Sequence, residues 1–260
     1  MIRGLWDSEM VAAILLAALM PVALTWLWFG GLDAAGRLVL ALIVAGFWHI
    51  VFMLARAQPP SLAGAITALA VAMLAPEDLG LLRMMMGISF GAVFGELVFG
   101  GWGRNVVNPA TVTLAFLGFG FPAFAWPEFV PPVAWAAIPA AVIGVAAGVM
   151  PFGVAAGAVL VAALGVLAGL DLEAVLAPAV IVLVLLVLDP VTSASSTPGR
   201  WLNGAFYAAM VILFATGWDG AAPLQMAVGA ALLASLAAPT FDELATQIWV
   251  AQRRRRHGRT

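Results

Sequence analysis

The chain has 260 residues, of which 64% are hydrophobic and only 9% charged, with a formal net charge of −2. A soluble domain carries roughly 25% charged residues, so a chain this apolar must turn much of its outside to lipid rather than water. The absence of cysteine removes disulfides, cysteine-held iron–sulfur clusters and thiolate zinc sites. With two histidines, His49 and His257, a haem held by two histidines inside a bilayer has no ligands.

A spanning helix needs about 20 apolar residues. Reading between charges, glycines and prolines predicts spans near 10–30, 36–56, 60–76, 83–100 and 107–126, then 132–149, 151–170, 173–189, 201–218 and 221–249. The first is too long, and followed by too many others, to be a cleaved signal peptide. The expected fold is an all-α membrane protein of about ten transmembrane helices. It forms one transmembrane domain over 1–260, with halves 1–126 and 132–250 and a basic tail, 251–260. Eleven arginines and no lysine set the orientation. With a cytoplasmic N-terminus, nine of them (Arg3, Arg56, Arg104, Arg200, Arg253, Arg254, Arg255, Arg256 and Arg259) fall on the cytoplasmic side. Only Arg37 and Arg83 fall outside, as the positive-inside rule requires. Both termini are therefore expected in the cytoplasm of a bacterial cell, with the protein multi-pass in the inner membrane. The basic tail fits an anchor against anionic lipid.

Two stretches do not read as ordinary helix. One runs from Gly100 to Ala110 and holds Arg104, Asn105, Asn108 and Pro109. The other runs from Asp189 to Arg200 and holds Pro190, Thr192 and Ser193. Interrupted helices in the two halves of a membrane protein point to a central binding site. Five helices per half would invert the second half against the first, yet both polar stretches fall at the cytoplasmic face and do not map onto each other by strict symmetry. Asn108 before Pro109 reads as a helix N-cap, or as part of a site where amides and free N–H groups meet a polar ring or anion. Asp189 at a helix C-terminus needs partners, from the N–H and hydroxyl groups that follow or from Arg200. A local turn and a ligand site explain it equally well.

Glu96 lies within the fourth span, where a carboxylate is a functional-site hypothesis by default, with snorkelling to the interface as the bland alternative. Asp242 and Glu243 follow Pro239 in the last span, and Asp242 could pair across the bundle. His49 reads as a hydrogen-bonded core histidine rather than a proton carrier, and Thr67 alone would back-bond to its own helix. No phosphate-cradling glycine loop, HExxH or nucleophile elbow occurs, so no catalytic or metal-ligating residue is assigned, and nothing suggests nucleic acid.

The stretch from Gly95 and Glu96 through Gly100-Gly101-Trp102-Gly103-Arg104-Asn105 to Asn108-Pro109-Ala110 resembles a signature of the RnfD/NqrB family. These are membrane subunits of the Rnf complex and of the sodium-pumping NADH:quinone oxidoreductase. Leu114-Ala115-Phe116 to Phe121-Pro122-Ala123 fits the same segment. Asp189-Pro190-Val191-Thr192-Ser193-Ala194, with Gly199-Arg200-Trp201 and Gly204, is similar to the second signature. Ala238 to Asp242 is similar to the last helix, and Pro59-Pro60 through Thr67 to Pro76 to the third. The resemblance covers roughly 59–126 and 185–257.

It implies a ten-helix fold related to urea and ammonium channels, built of two inverted five-helix repeats. It implies a flavin (riboflavin or FMN) bound without a covalent bond at Thr67, Arg104, Asn105, Asn108, Asp189, Thr192 and Ser193. Glu96 and Asp242 match acidic positions of the cation pathway in the sodium-pumping branch. The expected role is an electron-transfer subunit, an oxidoreductase component passing electrons between partner membrane redox subunits or quinone, with ion coupling. One departure stands out. Family members usually carry a second FMN, esterified to a threonine after the Phe-Pro-Ala segment. Here that place reads Trp126-Pro127-Glu128-Phe129-Val130-Pro131-Pro132, without a hydroxyl, so the covalent FMN is expected to be absent. The alternative is a urea-transporter-like channel or carrier for a small polar solute or a flavin. An assembly scaffold without cofactor is a third reading.

Overall fold

The computed structural model describes residues 7–56 and 61–257 and, among them, contains helices and connecting turns but no strand. Arg3, Pro59, Pro60 and Arg259 lie outside the described residues, as do the side chains of Arg254, Arg255, Arg256 and His257. In chain order the helices are α1 (Ser8–Arg56), α2 (Ala63–Leu74), α3 (Gly80–Gly95), α4 (Pro109–Gly120), α5 (Pro131–Ala146), α6 (Phe152–Leu167), α7 (Glu173–Val182), α8 (Thr197–Gly217) and α9 (Pro223–His257).

Helix α1 is two arms. Gly31 breaks it with φ 57° and ψ −137°, a conformation only glycine adopts cheaply. The chain reverses there. Glu9 on the first arm accepts the Leu62 N–H at the start of α2, and His49 on the second arm lies against Gly64 at the same end of α2. Arg37, just past the break, donates to the carbonyls of Ala75 and Pro76 at the far end of α2. The predicted spans 10–30 and 36–56 are thus the arms of one hairpin.

Helices α2 and α4 have 12 residues each. At 1.5 Å per residue each covers about 18 Å, short of a hydrocarbon core of about 30 Å. By length and composition three helical stretches suffice to cross a membrane: Ser8–Arg56, Gly80–Phe99 and Pro223–Arg253. Five further apolar helical stretches are shorter. Yet α2 is buried almost throughout, and short, buried, apolar helices belong inside a bundle where neighbours rather than lipid satisfy their ends.

Glycine sets two of the closest helix contacts. Gly87, Gly91 and Gly95 on α3 face Leu117, Thr113 and Pro109 on α4, an antiparallel register that advances four residues at a time. A methyl at Gly91 would strike the Thr113 hydroxyl and come within 2.7 Å of the Pro109 carbonyl oxygen. Gly157 on α6 likewise lies against the Trp201 carbonyl, and Gly204 on α8 against the Val154 carbonyl. Close backbone approach through small residues is how helices associate where lipid removes the hydrophobic incentive.

The arginines separate by end. Arg56 donates to the Val98 carbonyl at 3.1 Å, Arg104 folds over Gly100, and Arg200 donates to the Ala194 carbonyl at 3.3 Å, all at one end of the bundle. The two that the positive-inside rule puts outside lie at the other end. Arg37 is held by carbonyls, while Arg83 donates to the Leu79 carbonyl and sits over the rings of Phe121 and Phe124.

Candidate functional site

Helix α3 ends at Gly95, and a short 3₁₀ turn (Leu97–Phe99) leads into a loop in which Gly100, Gly101 and Gly103 all have positive φ. Residues with a Cβ resist that region, so the glycines let the chain fold tightly back toward the bundle. Asn105, buried, holds the loop: its Oδ1 accepts the Gly103 N–H at 3.2 Å and its Nδ2 donates to the Val107 carbonyl at 3.4 Å. Asn108 then starts α4. Its Oδ1 accepts the N–H groups of Ala110 at 2.9 Å and Thr111 at 3.3 Å, with Pro109 in the first turn, where its missing N–H costs nothing.

The second polar stretch follows α7. There the helix widens into a π-helical turn, Leu183–Val187, before Asp189. Such turns are rare and frequent at functional sites. The Asp189 carboxylate accepts the Val191 N–H at 3.1 Å on one oxygen. The other oxygen accepts the Thr192 hydroxyl at 2.9 Å and the Nδ2 of Asn108 at 3.1 Å. The Ser193 N–H donates to the Asp189 carbonyl at 3.2 Å. Both stretches therefore meet through one buried hydrogen bond between Asn108 and Asp189, 81 residues apart in sequence. Arg200 takes no part in it.

Around this junction lies a narrow pocket. Thr67, Trp102, Asn108 and Asp189 supply its polar part, with Leu15, Leu19, Ile66, Val184 and Leu185 as apolar walls. As it stands it has space for about one water molecule. Of the predicted site residues, Thr67, Asn108, Asp189 and Thr192 converge here. Asn105 braces the loop behind, Ser193 contributes backbone only, and Arg104 is exposed and folded over Gly100.

Glu96 caps the end of α3 and is 1% exposed. The Trp102 backbone N–H donates to its carboxylate, while Oε1 has no hydrogen-bond partner and stands 4.0 Å from Nε2 of His49. Asp242 pairs across the bundle, but with hydroxyls and amides. One of its oxygens accepts the N–H and hydroxyl of Ser195 at 2.8 and 2.9 Å, and the other accepts the N–H and hydroxyl of Ser196. Because Ser196 is the N-cap of α8, Asp242 ties α9 to the start of α8, and Gly199 is close enough that a methyl there would meet the Asp242 carboxylate at 2.6 Å. Glu243 accepts from Gln247 one turn along.

Trp102, Leu15 and Leu19 are pocket residues that the sequence does not single out. Trp102 sits inside the first polar stretch, where an aromatic among glycines is a usable signal. Leu15 and Leu19 carry no such signal, since nothing local distinguishes them from other leucines of α1.

A second, larger cleft of about 260 Å³ opens at the opposite end. It is lined by Trp26, Phe29, Arg37, Glu77, Glu128 and Phe129 among others, and includes no serine or threonine.

Residues 2–137 match the model of the NQR2, RnfD, RnfE family. Three relatives carry names that make each a subunit of a Na(+)-translocating NADH-quinone reductase. That of Yersinia pestis is 41% identical over 81 residues, 31% of this chain and 20% of the relative. That of Azotobacter vinelandii is 42% identical over 81 residues, with the same shares. That of Pseudomonas paraeruginosa is 36% identical over 121 residues, 46% of this chain and 26% of the relative. The chain thus matches only about a fifth to a quarter of the length of these relatives. The family match takes in more than half of the residues and contains the whole first polar stretch with Asn108, and the chain belongs to the NQR2, RnfD, RnfE family.

Proposed function

We propose that this chain is an electron-transfer subunit of a bacterial inner-membrane complex, and that the junction of Asn108 with Asp189 is where it binds a flavin without a covalent bond. The observation that carries the reading is that junction. It unites the two polar stretches around a small buried pocket that combines polar groups with apolar walls, the composition but not the open volume of a cofactor site. The names of the relatives, subunits of an NADH-quinone reductase, support membrane redox partners and a quinone as electron acceptor.

The donor set suits a flavin ring. The Asn108 amide both donates and accepts, the Thr67 and Thr192 hydroxyls do likewise, and Trp102 offers an aromatic face. A three-ring system enters only if the Asn108–Asp189 bond opens and Leu15, Leu19 and Leu185 move apart. The flavin would supply one- and two-electron chemistry, while the protein supplies binding, orientation and electrostatics. Asn108 presents the amide, Asp189 fixes its direction, and the leucines keep water out.

Ten spans with both termini in the cytoplasm agree with the collection of Arg56, Arg104 and Arg200 at one end. Two inverted five-helix halves find support in two contacts: α1 packs on α5 and α4 on α9, so the opening and closing helices of each half meet their counterparts. Absence of the ester-linked FMN is supported by the outer cleft, whose segment Pro127 to Val130 brings no hydroxyl.

The test is the absorption spectrum of the protein purified from membranes. Flavin bands, diminished in Asn108→Ala and Asp189→Ala, are expected. A colourless protein that passes a small polar solute across liposomes would favour the channel reading. That reading gains nothing from the junction itself, which leucines and the Asn108–Asp189 bond nearly fill.

A further inference from the structure

We propose that Glu96 and His49 together form a proton-binding site, placed between the arginine-bearing end of the bundle and the central pocket, and that it takes a proton in preference to a metal cation. Glu96 is 1% exposed and its Oε1 has no hydrogen-bond partner. The group facing that oxygen is the imidazole of His49, with Nε2 at 4.0 Å and the side chain 15% exposed. The imidazole is confined, because a methyl at Gly64 would come within 2.5 Å of Nε2. A shift of about 1 Å closes the pair into a hydrogen bond.

An ionised carboxylate buried with a single N–H donor and no opposite charge is costly. One proton removes that cost wherever it sits. On Glu96 it makes an acid O–H that donates to neutral imidazole. On His49 it makes an imidazolium that donates to the carboxylate. In both arrangements the pair is neutral overall, and the proton moves between Oε1 and Nε2 without any other bond changing.

The surroundings attract cations in general. Glu9 and Asp189 both act electrostatically on Glu96, and Glu9 also acts on His49. The nearby arginines are engaged elsewhere, Arg56 on the Val98 carbonyl and Arg104 over Gly100. Discrimination must therefore come from the atoms at the site. A hard metal cation takes a shell of oxygen ligands. Here the atom opposite the free oxygen is a ring nitrogen, not one of the oxygen ligands a hard cation takes. Glu9 stands at the arginine-bearing end and Asp189 lines the pocket, so the pair lies between that end and the pocket.

The inference stands whether or not the pocket holds flavin, and flavin content is measured on the same samples to keep the two apart. The full chain in nanodiscs is titrated with acid while infrared difference spectra follow the carboxylic-acid carbonyl band, in choline chloride and in sodium chloride of equal ionic strength. A band that disappears in Glu96→Gln is expected. Its midpoint should move by about one pH unit or more in His49→Gln, a tenfold change in proton affinity. The midpoint should be the same in both salts. A missing Glu96 band, an unchanged midpoint in His49→Gln, or a midpoint that depends on sodium would overturn the proposal. If Glu96→Gln fails to fold by gel filtration, Glu96→Asp takes its place: the side chain is one methylene shorter, the gap to His49 widens, and an unmoved midpoint refutes the pairing.

Discussion

Replacing Asn108 separates two jobs that its side chain performs at once. Its Oδ1 caps α4 through Ala110 and Thr111, while its Nδ2 donates to Asp189 across the junction. Asn108→Ser keeps a capping oxygen and loses the amide N–H donor, which costs about 1.5–3 kcal/mol for a hydrogen bond to a charged group. Asn108→Ala loses the cap as well, adding about 1 kcal/mol. Asn108→Asp keeps the cap but sets a carboxylate oxygen where the donor stood, 3.1 Å from the Asp189 oxygen. Two buried carboxylates that close cannot both ionise, so the cost at neutral pH is about 3–5 kcal/mol, as for breaking a buried charged pair. Acid supplies a proton for the two to share and restores the missing donor, so Asn108→Asp alone regains stability relative to wild type as pH falls. Thermal unfolding of the detergent-solubilised chain, followed by gel filtration after heating at several pH values, measures the series. An Asn108→Asp variant as stable as Asn108→Ser at neutral pH, or no more stable in acid, would refute the geometry of the junction. A double-mutant cycle with Asp189→Asn should give a coupling of about 1 kcal/mol, the range for groups in direct contact.

Three further outcomes are expected. Gly91→Leu drives a side chain into Thr113 and the Pro109 carbonyl, so overpacking should cost at least about 1–3 kcal/mol and displace Asn108 at the start of α4; unchanged thermal stability would show that α3 and α4 are not packed in this register. Asp242→Asn keeps the shape but turns a donor toward Ser195 or Ser196, so hydrogen exchange over residues 193–199 should accelerate by about tenfold, equivalent to about 1.4 kcal/mol, while the midspan of α9 stays protected. Asn105→Ala frees the loop that brings Trp102 to the pocket, so protease cleavage between Gly100 and Val107 should increase with little change in global unfolding.

The helices and polar interruptions are legible in the sequence because both follow from local composition. Apolar runs bounded by charge predict a helix at each of the proposed spans, and Asn108 before Pro109 announces a cap that the structure has. What is not legible depends on distance in the chain. Nothing near Asp189 shows that its partner is 81 residues away, and with only local donors in view Arg200 is an equal candidate. His49 looks like a satisfied core histidine because its neighbour Glu96 is brought to it by the turn at Gly31 and the ending of α3. Asp242 matches a cation-pathway position by resemblance, whereas four hydrogen bonds from Ser195 and Ser196 engage both its oxygens and give it a structural partner that hydropathy does not reveal. The shortness of α2 and α4 is hidden for another reason. Hydropathy continues past their ends, into Ala75-Pro76 and Phe121-Pro122, where non-helical backbone carries the apolar residues.

If the junction of Asn108 and Asp189 holds a flavin by non-covalent contacts alone, denaturing the purified protein with acid and dividing flavin between supernatant and pellet tests it directly. Flavin stoichiometric with the chain is expected, all of it in the supernatant, and lost from Asn108→Ala and Asp189→Ala variants that remain folded. Flavin retained in the protein pellet, or full flavin content in both variants, would contradict non-covalent binding at this junction.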